Sequence, residues 1–137
     1  MVPTTIIIHH SLTKDSETVS WGAIRTFHKS KKFSDIGYHY GIENLRGQTE
    51  ILVGRTTDKK GAHCKGFNSD SIGICFIGNF DVDAVPKESW DAGVKLVRFL
   101  RAQYGINEVL GHTELNSKKS CPGKKFNLDK FREEVGL

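Results

Sequence analysis

The sequence is poor in cysteine and proline, and it has no long hydrophobic run. Its three cysteines, Cys64, Cys75 and Cys121, are too few and too unevenly spaced for a disulfide framework, so a reducing compartment is expected. The apolar run near the N-terminus, residues 6–8, is too short for a membrane span or a signal peptide. We therefore expect no membrane insertion and a protein that stays cytoplasmic on synthesis.

Basic residues outnumber acidic residues only slightly. The net charge of +4 favours polyanions such as nucleic acid, anionic lipid or bacterial cell wall, without choosing between them. A chain of 137 residues that is 37% hydrophobic is typical of one soluble domain with a substantial core. Internal repeats and linkers are missing, so we predict a single domain over residues 1–137.

Hydrophobic periodicity predicts strands that alternate with helices, which is typical of the α/β class. The β-branched run at residues 4–8 predicts a buried strand that ends at His9. An apolar stripe predicts a helix over residues 19–31, and a longer stripe predicts one from Pro86 to Gly105. The other predicted elements are strands at residues 37–43, 49–53, 71–78 and 108–111, a turn at 44–48, and a closing helix at 126–135.

The strongest chemical signal lies near the C-terminus. His112 leaves a short strand, a polar loop with two lysines follows, and Cys121 stands directly before a Pro-Gly pair. Imidazole and thiolate are zinc donors, and a nearby lysine lowers the pKa of a thiol. His9 can supply a third donor, because ligand sites gather at the ends of strands in α/β sheets. We expect His9, His112 and Cys121 to bind one zinc ion that keeps a position open for water.

Other interpretations remain open for these segments. His9 and His10 alone are equally consistent with two histidines that pack or cap a turn at a strand end. The polar loop at residues 59–68 is typical of a functional loop or of a solvated basic connection. Cys64 is expected to be a free thiol and Cys75 a small core residue, rather than metal ligands.

Several separated motifs resemble those of zinc N-acetylmuramoyl-L-alanine amidases, in the same order. They are His9-His10-Ser11-Leu12-Thr13, Gly37-Tyr38-His39-Tyr40, Gly54-Arg55, the loop from His63 to Asn68 leading into Ser71-Ile72-Gly73-Ile74, and His112 with Lys119-Ser120-Cys121-Pro122. The resemblance spans residues 5–133 and is greatest to small phage endolysins, while peptidoglycan recognition proteins share the fold. It implies an α/β fold with a central mixed β-sheet flanked by α-helices, and no separate cell-wall-binding domain.

The resemblance also implies roles for individual residues. The family's zinc ligands correspond to His9, the first histidine of its pair, and to His112 and Cys121. Tyr38 and Lys119 correspond to residues that assist catalysis, and they can stabilise the oxyanion of a tetrahedral intermediate. The loop after His112 is one residue longer than in similar phage enzymes, so Lys118 is an alternative to Lys119 for this catalytic role.

The implied substrate contacts are less specific. Arg55, His63 and Asn68 resemble groove residues that contact the stem peptide or the muramic acid, although they are also consistent with ordinary exposed polar side chains. Some relatives carry a glutamate base on the central strand, where this chain aligns Cys75. A proton must then be handled by Tyr38, Lys119, a histidine or the zinc-activated water.

The expected function is hydrolysis of the amide bond between N-acetylmuramic acid and L-alanine of peptidoglycan, by a phage or prophage endolysin. Such a protein reaches the cell wall after another protein disrupts the membrane. We expect a monomer that binds Zn²⁺ and peptidoglycan but no nucleic acid. The alternatives are a non-catalytic peptidoglycan-binding module, which typically lacks the ligand at Cys121, a cytoplasmic muropeptide-recycling amidase, and a regulatory protein that binds a polymerase.

Overall fold

A five-stranded mixed sheet flanked by helices forms the centre of the computed structural model, which describes residues 1–13 and 21–137. Its elements are β1 Thr5–His10, α1 Trp21–Ser30, β2 Tyr40–Leu45, β3 Gln48–Val53, β4 Ser71–Phe76, α2 Lys87–Tyr104, β5 Glu108–Gly111, α3 His112–Leu115 and α4 Leu128–Glu134. The strand order is β3-β2-β4-β1-β5. β3 pairs antiparallel with β2, and the other three pairs are parallel. The predicted α/β fold, with the strand at residue 71 in the centre, is confirmed.

The two faces of the sheet are both covered, which explains the continuous apolar run at residues 6–8 of β1. Every residue of β1 and β4 is buried. Side chains alternate along a strand, so Ile8 packs toward the core of α2 and α4 while His9 faces the opposite side. That side carries a smaller cluster, which includes Trp21, Ile36 and Cys75. The alternation therefore decides which histidine of the pair meets the residues around Tyr38.

Several element ends agree with the predictions from local sequence. α2 begins after Pro86 and ends at Tyr104, and the next residue, Gly105, has a φ of 65°, the left-handed conformation that glycine adopts at helix C-termini. The hairpin between β2 and β3 turns at Arg46 and Gly47, which both have positive φ. Within the described parts of the chain, no helix combines the length and the apolar character that crossing a bilayer requires.

Other element ends differ from the predictions. The strand predicted from residue 37 begins at Tyr40. The residues before it serve other contacts, because the Gly37 N–H donates to His28 Nδ1 at 2.8 Å and the Tyr38 carbonyl accepts from the Arg55 N–H at 3.0 Å. The strand predicted to reach residue 78 ends at Phe76, and the closing helix is shorter than predicted. The predicted start of α1, at residues 19–20, lies outside the described residues.

Candidate metal centre and active site

Three predicted ligands meet at the C-terminal ends of β1 and β5. The donor atoms of His9, His112 and Cys121 all lie within 4.8 Å of one another. Parallel pairing of β1 with β5, in which Ile8 lies opposite Gly111, brings the two histidines together. Cys121 is fixed beside them because its carbonyl accepts from the N–H of Thr113 at 2.8 Å. The three side chains are at most 8% exposed, so the cluster is well shielded from solvent.

The geometry of this cluster fits a zinc ion. The Nδ1 atoms of His9 and His112 are 3.1 Å apart. Two nitrogens at about 2.0–2.1 Å from one tetrahedral zinc ion would be about 3.4 Å apart, so only a small adjustment is needed. Among the residues that the structure describes, the group contains these two histidines and Cys121, with no fourth histidine, cysteine or carboxylate. Three nitrogen and sulfur donors are typical of catalytic zinc sites rather than structural ones.

His63 lies behind His9 and orients its ring. His9 Nε2 is 2.9 Å from His63 Nδ1, and His63 Nε2 is 3.2 Å from the hydroxyl of Ser71. That hydroxyl donates to the carbonyl of Phe67 at 2.6 Å. If Nδ1 of His9 faces a metal, its Nε2–H donates to His63, whose own Nε2–H donates to Ser71. All of these donors then have acceptors, as is usual for histidine ligands of metals.

Burial sets the protonation of the cluster. Burial, and then the charges of His63 and His112, hold the pKa of His9 well below its usual value. Burial and then the charge of Lys119 lower the pKa of His112. Both imidazoles are therefore neutral at pH 7 and free to bind a cation. Burial raises the pKa of the Cys121 thiol, against the opposing effect of Lys119, so a cation must displace its proton.

The two residues predicted to assist catalysis lie beside the cluster. The rings of Tyr38 and His9 are 5.2 Å apart. Burial, and then the neighbouring Cys75 and Cys121, raise the pKa of Tyr38 well above its usual value, which keeps the phenol protonated. Lys119 is exposed, and its charge lowers the pKa of both His9 and His112. This effect on both histidines favours Lys119 over Lys118 for the predicted catalytic role.

The three residues predicted to bind substrate make contacts within the protein. Arg55 donates to the carbonyls of Ile36 at 2.9 Å and Lys60 at 2.8 Å. The side-chain oxygen of Asn68 accepts from the backbone N–H groups of His63 and the next residue. His63 is buried behind His9. The polar loop at residues 59–68 is thus held by these side chains, and their contact with substrate remains a prediction.

The sequence did not indicate the partners of His63. Ser71 lies at the start of β4, and its hydroxyl role depends on strand pairing rather than on a local motif. Gly73 is a better indication of where His63 packs, because a Cβ at this position would lie 2.5 Å from the ring of His63. Cys75, in register with His9 on the neighbouring strand, and Cys64 are buried free thiols, and neither belongs to the group of donors that could hold a metal.

Comparison with known proteins agrees with the geometry. The family model of N-acetylmuramoyl-L-alanine amidase matches residues 1–124. The endolysin of Escherichia phage T7 is 34% identical over 138 residues, which covers 96% of this chain and 87% of the phage protein.

Two solved structures share the fold. The N-acetylmuramoyl-L-alanine amidase LysC from Clostridium intestinale URNW superimposes with a TM-score of 0.87 at 26% identity, covering 99% of this chain and 87% of that one. A mutant of Drosophila PGRP-LB in complex with tracheal cytotoxin gives a TM-score of 0.80 at 28% identity, covering 94% of this chain and 80% of that one. The chain belongs to the N-acetylmuramoyl-L-alanine amidase family, and phage endolysins are among its relatives.

Proposed function

We propose that the protein is a zinc-dependent amidase that cuts the bond between the lactyl group of N-acetylmuramic acid and L-alanine in peptidoglycan, as a phage or prophage endolysin. The observation that carries this proposal is the buried cluster of two imidazoles and one thiol, with donors within 4.8 Å of one another. The family supports the choice of amide bond, and the phage relatives support the biological role.

The proposed ligands of the ion are the facing Nδ1 atoms of His9 and His112 and the thiolate of Cys121. When bound, zinc supplies Lewis-acid chemistry that polarises the scissile carbonyl and activates a water molecule at neutral pH. His63 keeps the His9 ring in the tautomer that presents Nδ1 to the ion.

Lys119 and Tyr38 act on the substrate in this proposal. The ammonium of Lys119 and the protonated phenol of Tyr38 stabilise the negative charge that develops on the carbonyl oxygen. Removal of one such donor typically lowers turnover by about 10²–10³. Hydrolysis moves one proton from the attacking water to the leaving amine of L-alanine. Lys119 or Tyr38 can give a proton to the amine and regain one from the water, so neither side chain changes its net protonation. Cys75 is buried with a raised pKa, so it does not replace the glutamate base of some relatives.

Substrate recognition falls to the surface around the loop at residues 59–68. Arg55 lies in a concave surface together with Asp35, Lys59 and Lys60, and the ammonium groups of the two lysines suit the carboxylates of a stem peptide. We propose that Arg55, His63 and Asn68 serve recognition chiefly by holding this loop, because their polar atoms already bond to the protein.

Mass spectrometry of digested peptidoglycan tests the proposed activity. Zinc-loaded protein should release peptides that begin with a free L-alanine amine and leave glycan strands whose muramic acid carries a free lactyl carboxylate. Purified sacculi should be cut in preference to soluble muropeptides, which separates an endolysin from a recycling amidase. Release of glycan fragments alone, or equal release by the Cys121→Ser variant, would contradict the proposal. Binding of sacculi without release of peptide would indicate the non-catalytic module.

A further inference from the structure

A second polar cluster lies at the end of β1, on the face of the sheet opposite His9. His10 is 2% exposed, and its Nε2 is 3.2 Å from the hydroxyl of Ser120. That hydroxyl donates to Asp81 at 2.7 Å. The His10 ring also stacks on Phe80, with the centroids 6.2 Å apart. These residues therefore form a connected group that is separate from the proposed ligands.

The direction of each hydrogen bond in this group follows from one backbone contact. The N–H of Phe80 donates to His10 Nδ1 at 3.0 Å, so this nitrogen carries no proton in the neutral ring. The Nε2–H of His10 must then donate to Ser120, whose hydroxyl donates onward to Asp81. The other carboxylate oxygen of Asp81 accepts from the backbone N–H of Lys124 at 2.9 Å. Every donor in this series of hydrogen bonds has an acceptor, so only one set of hydrogen-bond directions satisfies the group.

This chain of hydrogen bonds joins the neighbours of two proposed ligands. His10 directly follows His9, and Ser120 directly precedes Cys121. Asp81 belongs to the turn after β4, so three separate segments are tied together at the edge of the cluster. The Cys121 sulfur also lies 3.5 Å from the carbonyl of His10. A shift of the Ser120 loop would therefore move the sulfur relative to the imidazole of His9.

We propose that His10, Ser120 and Asp81 are positioning residues of the metal centre, whose hydrogen bonds hold the Cys121 sulfur where it can share one ion with His9. This inference rests on the proposed function, since it presumes that the cluster binds zinc. The three residues act through the ligands and not on the ion or the substrate. Loss of such outer partners typically lowers metal affinity by about 10–100-fold.

Zinc affinity of the full chain, measured by competition with a chromophoric chelator, tests this inference. Ser120→Ala should raise the Kd for zinc by about 10–100-fold, and Ser120→Thr, which keeps the hydroxyl, should restore most of the affinity. Ser117→Ala is the matched control, because Ser117 is an exposed serine of the same loop and should leave the Kd unchanged. With cobalt(II) in place of zinc, Ser120→Ala should also weaken the thiolate-to-metal absorption band.

Further variants separate positioning from simple stabilisation. Asp81→Ala combined with Ser120→Ala should cost little more affinity than the more damaging single change, because both changes break one chain of bonds. If Ser120→Ala does not fold, Asp81→Asn leaves one acceptor oxygen where Asp81 uses two, so it loses the bond from Ser120 or the bond from Lys124 and should also raise the Kd. An unchanged Kd with a lower free energy of unfolding of the zinc-free variant would overturn the inference alone. A wild-type protein that binds no zinc would overturn both the inference and the proposed function.

Discussion

Acid should destabilise the zinc-free protein through His63. Burial, and then the charge of His39, lower the pKa of His63 from 6.5 to about 3. Above pH 6.5 the residue is neutral in the folded and unfolded states, so it adds no pH dependence. Below that value only the unfolded state takes up the proton, and stability is lost as the pH falls toward the folded pKa.

The size of the loss follows from the two pKa values. The full difference corresponds to about 5 kcal/mol, reached only below about pH 3. Between pH 7 and pH 5 the expected loss from His63 is about 2 kcal/mol. The side chain is 8% exposed, so solvent screens this effect little. His9, whose pKa burial also lowers, adds to the total loss in the same direction.

Urea unfolding of zinc-free protein at the two pH values measures this effect. The His63→Gln variant should lose about 2 kcal/mol less stability than the wild type on going from pH 7 to pH 5. His28→Gln is the comparison, because His28 is only partly buried and should change the pH dependence less. Parallel losses of stability in the wild type and in His63→Gln would refute the reasoning.

Three further changes test the site. Cys121→Ser should abolish amidase activity and sharply weaken zinc binding, since a hydroxyl replaces the thiolate donor. Metal analysis measures the bound zinc and peptide release measures the activity. Full activity without zinc would contradict the role of Cys121 as a ligand. Lys119→Ala should keep zinc but lower kcat by about 10²–10³, whereas Lys118→Ala should change kcat little; equal effects would mean that the lysine is misassigned. Gly73→Ala should cost about 1–3 kcal/mol of stability and weaken zinc binding, because its Cβ would meet the ring of His63 at 2.5 Å; unchanged urea unfolding and zinc affinity would contradict that packing.

Local patterns were sufficient to predict much of the fold. The β-branched run of β1, the apolar stripe of α2 and the glycine at its C-terminus each depend on neighbours a few residues away. The same holds for the turn at Gly47. The meeting of His9 with His112 and Cys121 was predicted because strand ends converge in α/β sheets and because the motifs resemble those of a family. Their actual donor geometry required the pairing of β1 with β5.

Other features could not be read from local sequence. The four residues of α3 are too few to show a helical period, and the helix starts at a proposed ligand. The bond from His9 to His63 joins residues 54 positions apart. His63 also bonds to Ser71 of β4, so its contact with His9 depends on the register of β1 and β4. The guanidinium of Arg55 bonds to the carbonyls of Ile36 and Lys60, and local sequence does not predict where these carbonyls lie.

X-ray absorption at the zinc K-edge of the purified protein tests the central claim most directly. The proposed centre predicts one sulfur at about 2.3 Å, and two imidazole nitrogens and one solvent oxygen at about 2.0–2.1 Å. The sulfur signal should disappear in Cys121→Ser. A first shell with two sulfurs, a shell of four protein ligands, or a protein that carries no zinc would contradict the account.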